Sequence, residues 1–221
     1  MIERPILFSG EMVKAILEGK KTQTRRVVKT LLMPTAPGTD YCFHETKDGQ
    51  WEIGYDYLDG TGQFLRYIKC PYGQPGDRLW VRETCRAEGN GVRYFVDQIY
   101  QDKRNVDFEV WSKLYGYHNS RGIYVPSIHM PRWASRLTLE IVNIRVERVQ
   151  DISTLDALEE GLSGDFLGYK SASEQELRSM AKTQICGKFS ALWDSINAKR
   201  GYSWESNPWV WVIEFKKVEE K

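Results

Sequence analysis

Leu137-Thr138-Leu139-Glu140-Ile141 alternates apolar and polar residues, and the alternation resumes over 144–149 after Asn143. Period-two patterning of that length predicts one long strand, bent or bulged at its middle and central enough in a sheet to have partners on both sides. A second alternating run, 209–218, closes the chain and supplies a natural partner. Between the two runs, Ser153 opens a short helix over 153–161 with Leu155 and Leu158 facing inward, and Ser173 with Glu176 forms a capping box for a longer helix reaching about Asn197. Long strands that are not separated by regular helical crossovers fit an α+β fold better than a doubly wound sheet.

The N-terminal segment has its own logic. Ser9 caps a helix whose apolar positions Met12, Val13, Ile16 and Leu17 recur at helical spacing, and Gly19 is suited to end it in a left-handed conformation. Residues 22–28 carry β-branched ends and read as a strand. Lys20 and Lys21 therefore fall at a helix-to-strand corner, where side chains can project into a cleft. Residues 31–75 are rich in Gly, Pro and Asp with short aromatic stretches, and 99–131 is polar and aromatic; both read as insertions. Pro75-Gly76-Asp77 makes a turn into a strand over 78–83, on which Leu79, Val81 and Glu83 share one face and Trp80 and Arg82 the other. A further strand is expected over 92–97. Two short helices, one longer helix and five or six strands are expected within a single domain spanning 1–221.

With 31 basic and 30 acidic residues in 221 the formal charge is +1, so no chain-wide field draws the protein to nucleic acid or to an anionic membrane, and any nucleic-acid contact has to be local. Residues 1–5 are charged, and no apolar run is long enough for a signal peptide or a membrane span, so a soluble cytoplasmic protein without membrane partners is expected. Cys42, Cys70, Cys85 and Cys186 are far apart, with no CxxC. Reduced thiols are the plainer reading than a disulfide or a zinc site, and neither metal nor cofactor is expected.

The segment Gly19-Lys20-Lys21-Thr22-Gln23-Thr24-Arg25-Arg26 gathers four cations and two hydroxyls at a helix end. It reads G-x-K-x-x-T-x-R and resembles the signature of the ASCH family, G-x-K-x-x-E-x-R, in Gly19, Lys21 and Arg26, with Thr24 in the place of the name-giving Glu. The resemblance implies a PUA-like fold, a small mixed β-barrel with flanking helices. A bacterial branch of that family, with Lys-Thr-x-Thr-x-Arg at the corner, hydrolyses N4-acetylcytidine and related acylated cytosines through a lysine, a threonine and a glutamate. The first two map onto Lys21 and Thr24. The glutamate is expected at Glu83, after Gly76-Asp77 and its strand. Position 25, aliphatic in that branch, is a cation here. The layout that includes Met130-Pro131-Arg132-Trp133-Ala134-Ser135-Arg136 and Asn207-Pro208-Trp209-Val210-Trp211 resembles ASCH proteins of bacteriophages and prophages.

What the resemblance implies is an amidohydrolase in which neutral Lys21 takes the proton of Thr24, Glu83 orients Lys21 or protonates the departing amine, and Arg26 or a backbone N–H meets the oxyanion. Lys20, Thr22, Arg25, Arg26, Trp80, Arg82, Arg132 and Trp133 are the candidate substrate-binding residues, the arginines for phosphate and the tryptophans for base stacking. Two other readings use the same basic cleft: a non-catalytic module that binds RNA or a modified base, and a metal-independent ribonuclease. Asp151, Asp156, Glu159 and Glu160 read as an ordinary exposed helix face.

Overall fold

The computed structural model describes residues 1–29, 39–47, 50–57, 62–88, 91–102, 123–162 and 174–218. It is a mixed α+β fold built mainly of sheet. The central sheet has five strands in the order β1-β6-β11-β12-β2: β1 (Glu3–Leu7), β6 (Arg78–Arg82), β11 (Thr138–Arg148), β12 (Trp209–Lys217) and β2 (Gln23–Val27). β1 runs parallel to β6, and every other pairing is antiparallel. The long alternating run is the middle strand, as its pattern requires, and its register against β12 shifts between Ile141 and Asn143, where the alternation breaks.

β12 has buried residues on both faces. Trp211, Ile213 and Phe215 enter one core together with Ile6, Val13, Ile16, Leu79, Val81, Leu139 and Ile141. Val210 and Val212 enter a second core with Ala157, Ile185, Phe189 and Trp193. A strand apolar on both sides lies between two packed layers, so its alternation separates two cores rather than core from solvent.

Helix α1 (Gly10–Leu17) connects the two edge strands β1 and β2, and the Ser9 hydroxyl accepts from the Met12 N–H at 3.4 Å as its cap. Gly19, at φ +71°, takes the left-handed turn that lets the Lys20 and Lys21 N–H groups donate back to the Ala15 carbonyl at 2.8 and 3.1 Å. The expected helix-to-strand corner forms.

The first insertion is a three-stranded antiparallel sheet of β3 (Thr39–Glu45), β4 (Trp51–Tyr57) and β5 (Gly62–Ile68). It packs into the first core through Trp51, Ile53 and Ile68, and Trp51 meets Trp211 edge-on at 5.9 Å. A four-stranded sheet, β10-β7-β8-β9, gathers β7 (Cys85–Glu88), β8 (Gly91–Tyr94), β9 (Tyr100–Asp102) and β10 (Ile123–Val125) over a third cluster of Cys85, Val92, Tyr94, Val125, Met130 and Ala134. α2 (Thr154–Glu159) and α3 (Glu174–Asn197) complete the described elements. Ser173 of the expected capping box, residues 31–38 and 58–61 of the first insertion and 103–122 of the second lie outside the described residues.

Several expectations change. Twelve described strands replace the five or six read from the pattern, because the first insertion forms a sheet of its own and β9 and β10 of the second pair with β8 and β7. The strand at 92–97 ends at Tyr94 and turns. Leu155 is 73% exposed; α2 is only six residues long and docks through Ala157, with Leu158 at its margin. The sheet does not close into a barrel: β1 and β2 end the strand order and do not pair with each other.

Candidate functional site

The two edge strands β1 and β2 bound a cleft of about 620 Å³. Pro5 to Ser9 of β1 and its exit form one wall, Thr24 to Val27 of β2 another, and Phe189, Trp193 and Asn197 of α3 a third. Arg26 bridges the seam, its Nη2 donating to the Leu7 carbonyl at 2.7 Å. The volume is of the size of a small-ligand site.

The four cations of the corner separate. Lys20 points outward and pairs with Glu18 at 2.7 Å. The Lys21 side chain is fully buried, its Nζ donating to Glu160 Oε2 at 2.5 Å and to the Glu160 carbonyl at 3.0 Å. Arg25 is buried between Glu147 (2.6 Å), Glu160 (3.3 Å) and Asp156 (3.5 Å). Arg26 stays half-buried at the cleft and lies over the Phe8 ring at 5.2 Å. Strand geometry produces this split: Lys21, Gln23 and Arg25 point to the side of α2, whereas Thr24 and Arg26 share the opposite face.

Burial pushes the Lys21 pKa below the usual lysine value even though the Glu160 carboxylate opposes it. A lysine in that position sheds its proton more readily than one in water. Phe8 and Glu160 both line the cleft, and both touch the Lys21 ammonium, Phe8 at 5.7 Å from the ring centroid. Lys21 Nζ thus lies directly behind the cleft wall. Thr24 is buried and lines the same cleft; among the described contacts its hydroxyl makes no hydrogen bond to Lys21.

Glu83 is placed differently from its expected role. It is 1% exposed and lies on the face of Leu79 and Val81, as the alternation implied, but both carboxylate oxygens are taken by Arg136 Nε and Nη2 at 2.8 and 2.9 Å. Arg136 also pairs with Asp97 at 2.6 Å and covers the Tyr94 ring at 4.0 Å. Desolvation raises the Glu83 pKa against the pull of Arg136. Glu83 does not line the cleft and has no described contact with Lys21 or Thr24. It fastens the four-stranded sheet to the end of β6.

The carboxylate that meets Lys21 is Glu160, which the sequence had placed on an exposed face. Asp151 and Glu159 are exposed as expected, Asp156 is half-buried, and Glu160 is buried. The Ser153 cap starts α2 and Gly161 ends it at φ +91°, so the residue at its C-terminus turns inward against the corner. The Thr22 N–H donates to the Glu159 carbonyl at 2.8 Å and holds the two segments together. The local signal for Glu160 was its place just before a helix-ending glycine; its burial depends on a segment 139 residues away.

Among the other candidates, Thr22 is exposed. Arg82 lines the cleft, donates to the Ile128 carbonyl at 3.1 Å and covers the buried Trp80 ring at 4.6 Å. Trp80 packs beneath it rather than facing the cleft. Arg132 pairs with Glu3 at 2.7 Å, and Trp133 is partly exposed; neither lines the cleft. The four cysteines are free thiols, and burial raises the pKa of Cys70 to about 11 and of Cys85 to about 12. Among the described residues no cluster of three or more His, Cys, Asp or Glu is arranged to hold a metal ion, and no helix is long and apolar enough to cross a membrane. No protein-family model, curated protein or solved structure matches the chain.

Proposed function

We propose that the chain is an ASCH-type, PUA-like hydrolase that removes the acyl group from the exocyclic amine of an N4-acylated cytosine or cytidine. The observation that carries this reading is a fully buried lysine of lowered pKa, paired with Glu160, immediately behind a nucleoside-sized cleft that Thr24 also lines. The mixed sheet whose two edge strands flank the cleft and are joined by α1 supports the fold assignment.

In this mechanism the carboxylate of the reactive set is Glu160 in place of Glu83. Neutral Lys21 takes the Thr24 hydroxyl proton as the oxygen attacks the acyl carbonyl carbon. The oxyanion meets Arg26, on the same strand face as Thr24. The C–N bond then breaks, Lys21 returns the proton to the departing cytosine amine, and water hydrolyses the acyl-threonine ester to release the acid and restore the hydroxyl. Glu160 orients the lysine and stabilises its charged form. Because Lys21 Nζ is held on the α2 side by Glu160, this mechanism requires the lysine side chain to turn toward the Thr24 hydroxyl when substrate binds.

Incubating the protein with N4-acylated cytosines and cytidines and separating the products tests the reading. Free cytosine or cytidine that disappears in Lys21→Ala and Thr24→Ala supports it. Intact acyl substrates throughout would leave the second reading, a non-catalytic binding module, which the arginines of the cleft favour on their own.

A further inference from the structure

The cleft carries more positive charge than deacylation of a neutral nucleoside requires. Arg25, Arg26, Lys29, Arg82 and Arg200 line it, against the single carboxylate of Glu160. Glu160 is committed to Lys21 and Arg25, and Arg25 is further neutralised by Glu147. Among the described residues Arg26, Lys29, Arg82 and Arg200 form no ion pair with a carboxylate. In a chain of net charge +1 this is a local concentration of four uncompensated cations.

Their placement is specific. On β1, Leu7 is in register with Arg82 of β6 on one side, while its carbonyl accepts from Arg26 of β2 on the other. Both arginines thus lie beside Leu7 and line the cleft. Arg200 lies close enough for its charge to act on Arg26 from the turn after α3. Arg26 and Arg82 each make one hydrogen bond to a backbone carbonyl, and their buried Nε–H groups have no acceptor. Unused donors on mutually repelling cations favour an anion that accepts from several of them at once. Tyr72 and Tyr202 line the same cleft, half-buried, and offer aromatic groups beside those charges, whereas Phe8 lies under Arg26 and Trp193 is buried in a core. An aromatic ring bearing a phosphate matches both features, and a cleft of about 620 Å³ suits a single nucleotide rather than a long strand.

We propose that Lys29, Arg82 and Arg200 form a phosphate subsite, with Arg26 between it and Thr24, so that the substrate is a phosphate-bearing acylated cytidine and not the free nucleoside. The identity of the base rests on the deacylase reading above; the phosphate subsite does not. The phosphate belongs to a mononucleotide or to the backbone of a short RNA, and the experiment separates these sources.

Deacylation kcat/KM is measured for N4-acetylcytidine, its 5′-monophosphate and a short oligonucleotide with one N4-acetylcytidine, alongside calorimetric binding of unmodified cytidine and cytidine 5′-monophosphate. The monophosphate is expected to exceed the nucleoside by on the order of tenfold or more, mainly through KM, with the advantage shrinking as salt rises. Arg82→Ala and Arg200→Ala are each expected to reduce that ratio by about tenfold. Arg200 is exposed, so its variant tests the subsite even if Arg82→Ala is poorly folded. A preference for the oligonucleotide with the same arginine dependence assigns the phosphate to RNA. Equal kcat/KM for nucleoside and nucleotide, unmoved by either substitution, overturns the subsite and leaves the hydrolase standing. Arginine-dependent binding of the monophosphate without cleavage of any acyl substrate overturns the hydrolase and leaves the subsite standing.

Discussion

A β-carbon placed on Gly161 would stand 3.2 Å from Lys21 Cβ and 2.9 Å from Ala15 Cβ. The absence of a side chain there lets the C-terminus of α2 touch the helix-to-strand corner, and that approach delivers Glu160 to Lys21. Gly161 also sits at φ +91°, where an L side chain is strained regardless of space. Gly161→Ala is expected to cost about 1–3 kcal/mol in chemical unfolding from strain and overlap, and to reduce deacylation by separating the ion pair. Wild-type stability in that variant would show that the approach is looser than the geometry implies.

The Lys21–Glu160 pair is buried on both sides. Glu160→Gln leaves the Lys21 charge without its buried counterion and is expected to destabilise by about 3–5 kcal/mol, Lys21→Met costs less because Glu160 keeps Arg25, and the double change to apolar residues recovers part of the loss. A double-mutant cycle by urea denaturation measures the coupling. Additive losses would mean that the two groups act independently.

Proton uptake by Lys21 sets a pH limb. Because its folded pKa lies below the ordinary lysine value, through burial first and against the pull of Glu160, the neutral base accumulates at lower pH than for a free lysine, and kcat/KM rises with pH through a midpoint below 10.5. By linkage, a lysine of depressed pKa destabilises the fold as pH falls through its folded value. Lys21→Arg retains the charge but cannot supply a base, and is expected to abolish turnover at every pH. Activity in Lys21→Arg would remove the lysine from the mechanism.

Asp156 behaves in the opposite sense. Although partial burial raises its pKa, hydrogen bonds from Gln23 and Ser153 and the nearby Arg25 lower it to about 2. A depressed carboxylate contributes stability above its unfolded pKa and loses it as pH falls toward the folded value, here between about pH 4 and 2. Asp156→Asn is expected to be less stable than wild type at pH 6 and to flatten the acid limb of the melting temperature over that window. An unchanged acid limb would assign it to other carboxylates.

Glu83→Gln separates the two glutamates. Loss of the two-point contact with Arg136 is expected to lower the melting temperature and loosen the four-stranded sheet, while the pH limb attributed to Lys21 persists. Glu160→Gln shifts that limb instead. Disappearance of the limb in Glu83→Gln would return Glu83 to the chemistry.

The corner from Ser9 to Val27 was legible in sequence because its cap, helix period, terminal glycine and strand are all local. So was the bulged middle strand, whose break at Asn143 coincides with the register shift. Glu160 was not legible: a glutamate at the end of a short helix reads as solvated, and only the docking of α2 on the corner buries it. Glu83 shows the complementary difficulty. Alternation assigned its face correctly, but an apolar face signals burial without naming the partner, and Arg136 came from another segment. The first insertion read only as a hairpin or long ordered loop, and nothing local in it showed three strands or that Trp51 would reach Trp211.

A sheet left open between β1 and β2 has one line along which backbone groups lack a strand neighbour, and the cleft lies on that line. A bound molecule there acts as a keystone, joining two margins that the chain holds together at Leu7 and Arg26. Amide protons along both margins are therefore expected to exchange more slowly when the cleft is filled, whatever fills it, which makes hydrogen exchange at 3–8 and 23–28 a readout of occupancy that needs no knowledge of the reaction.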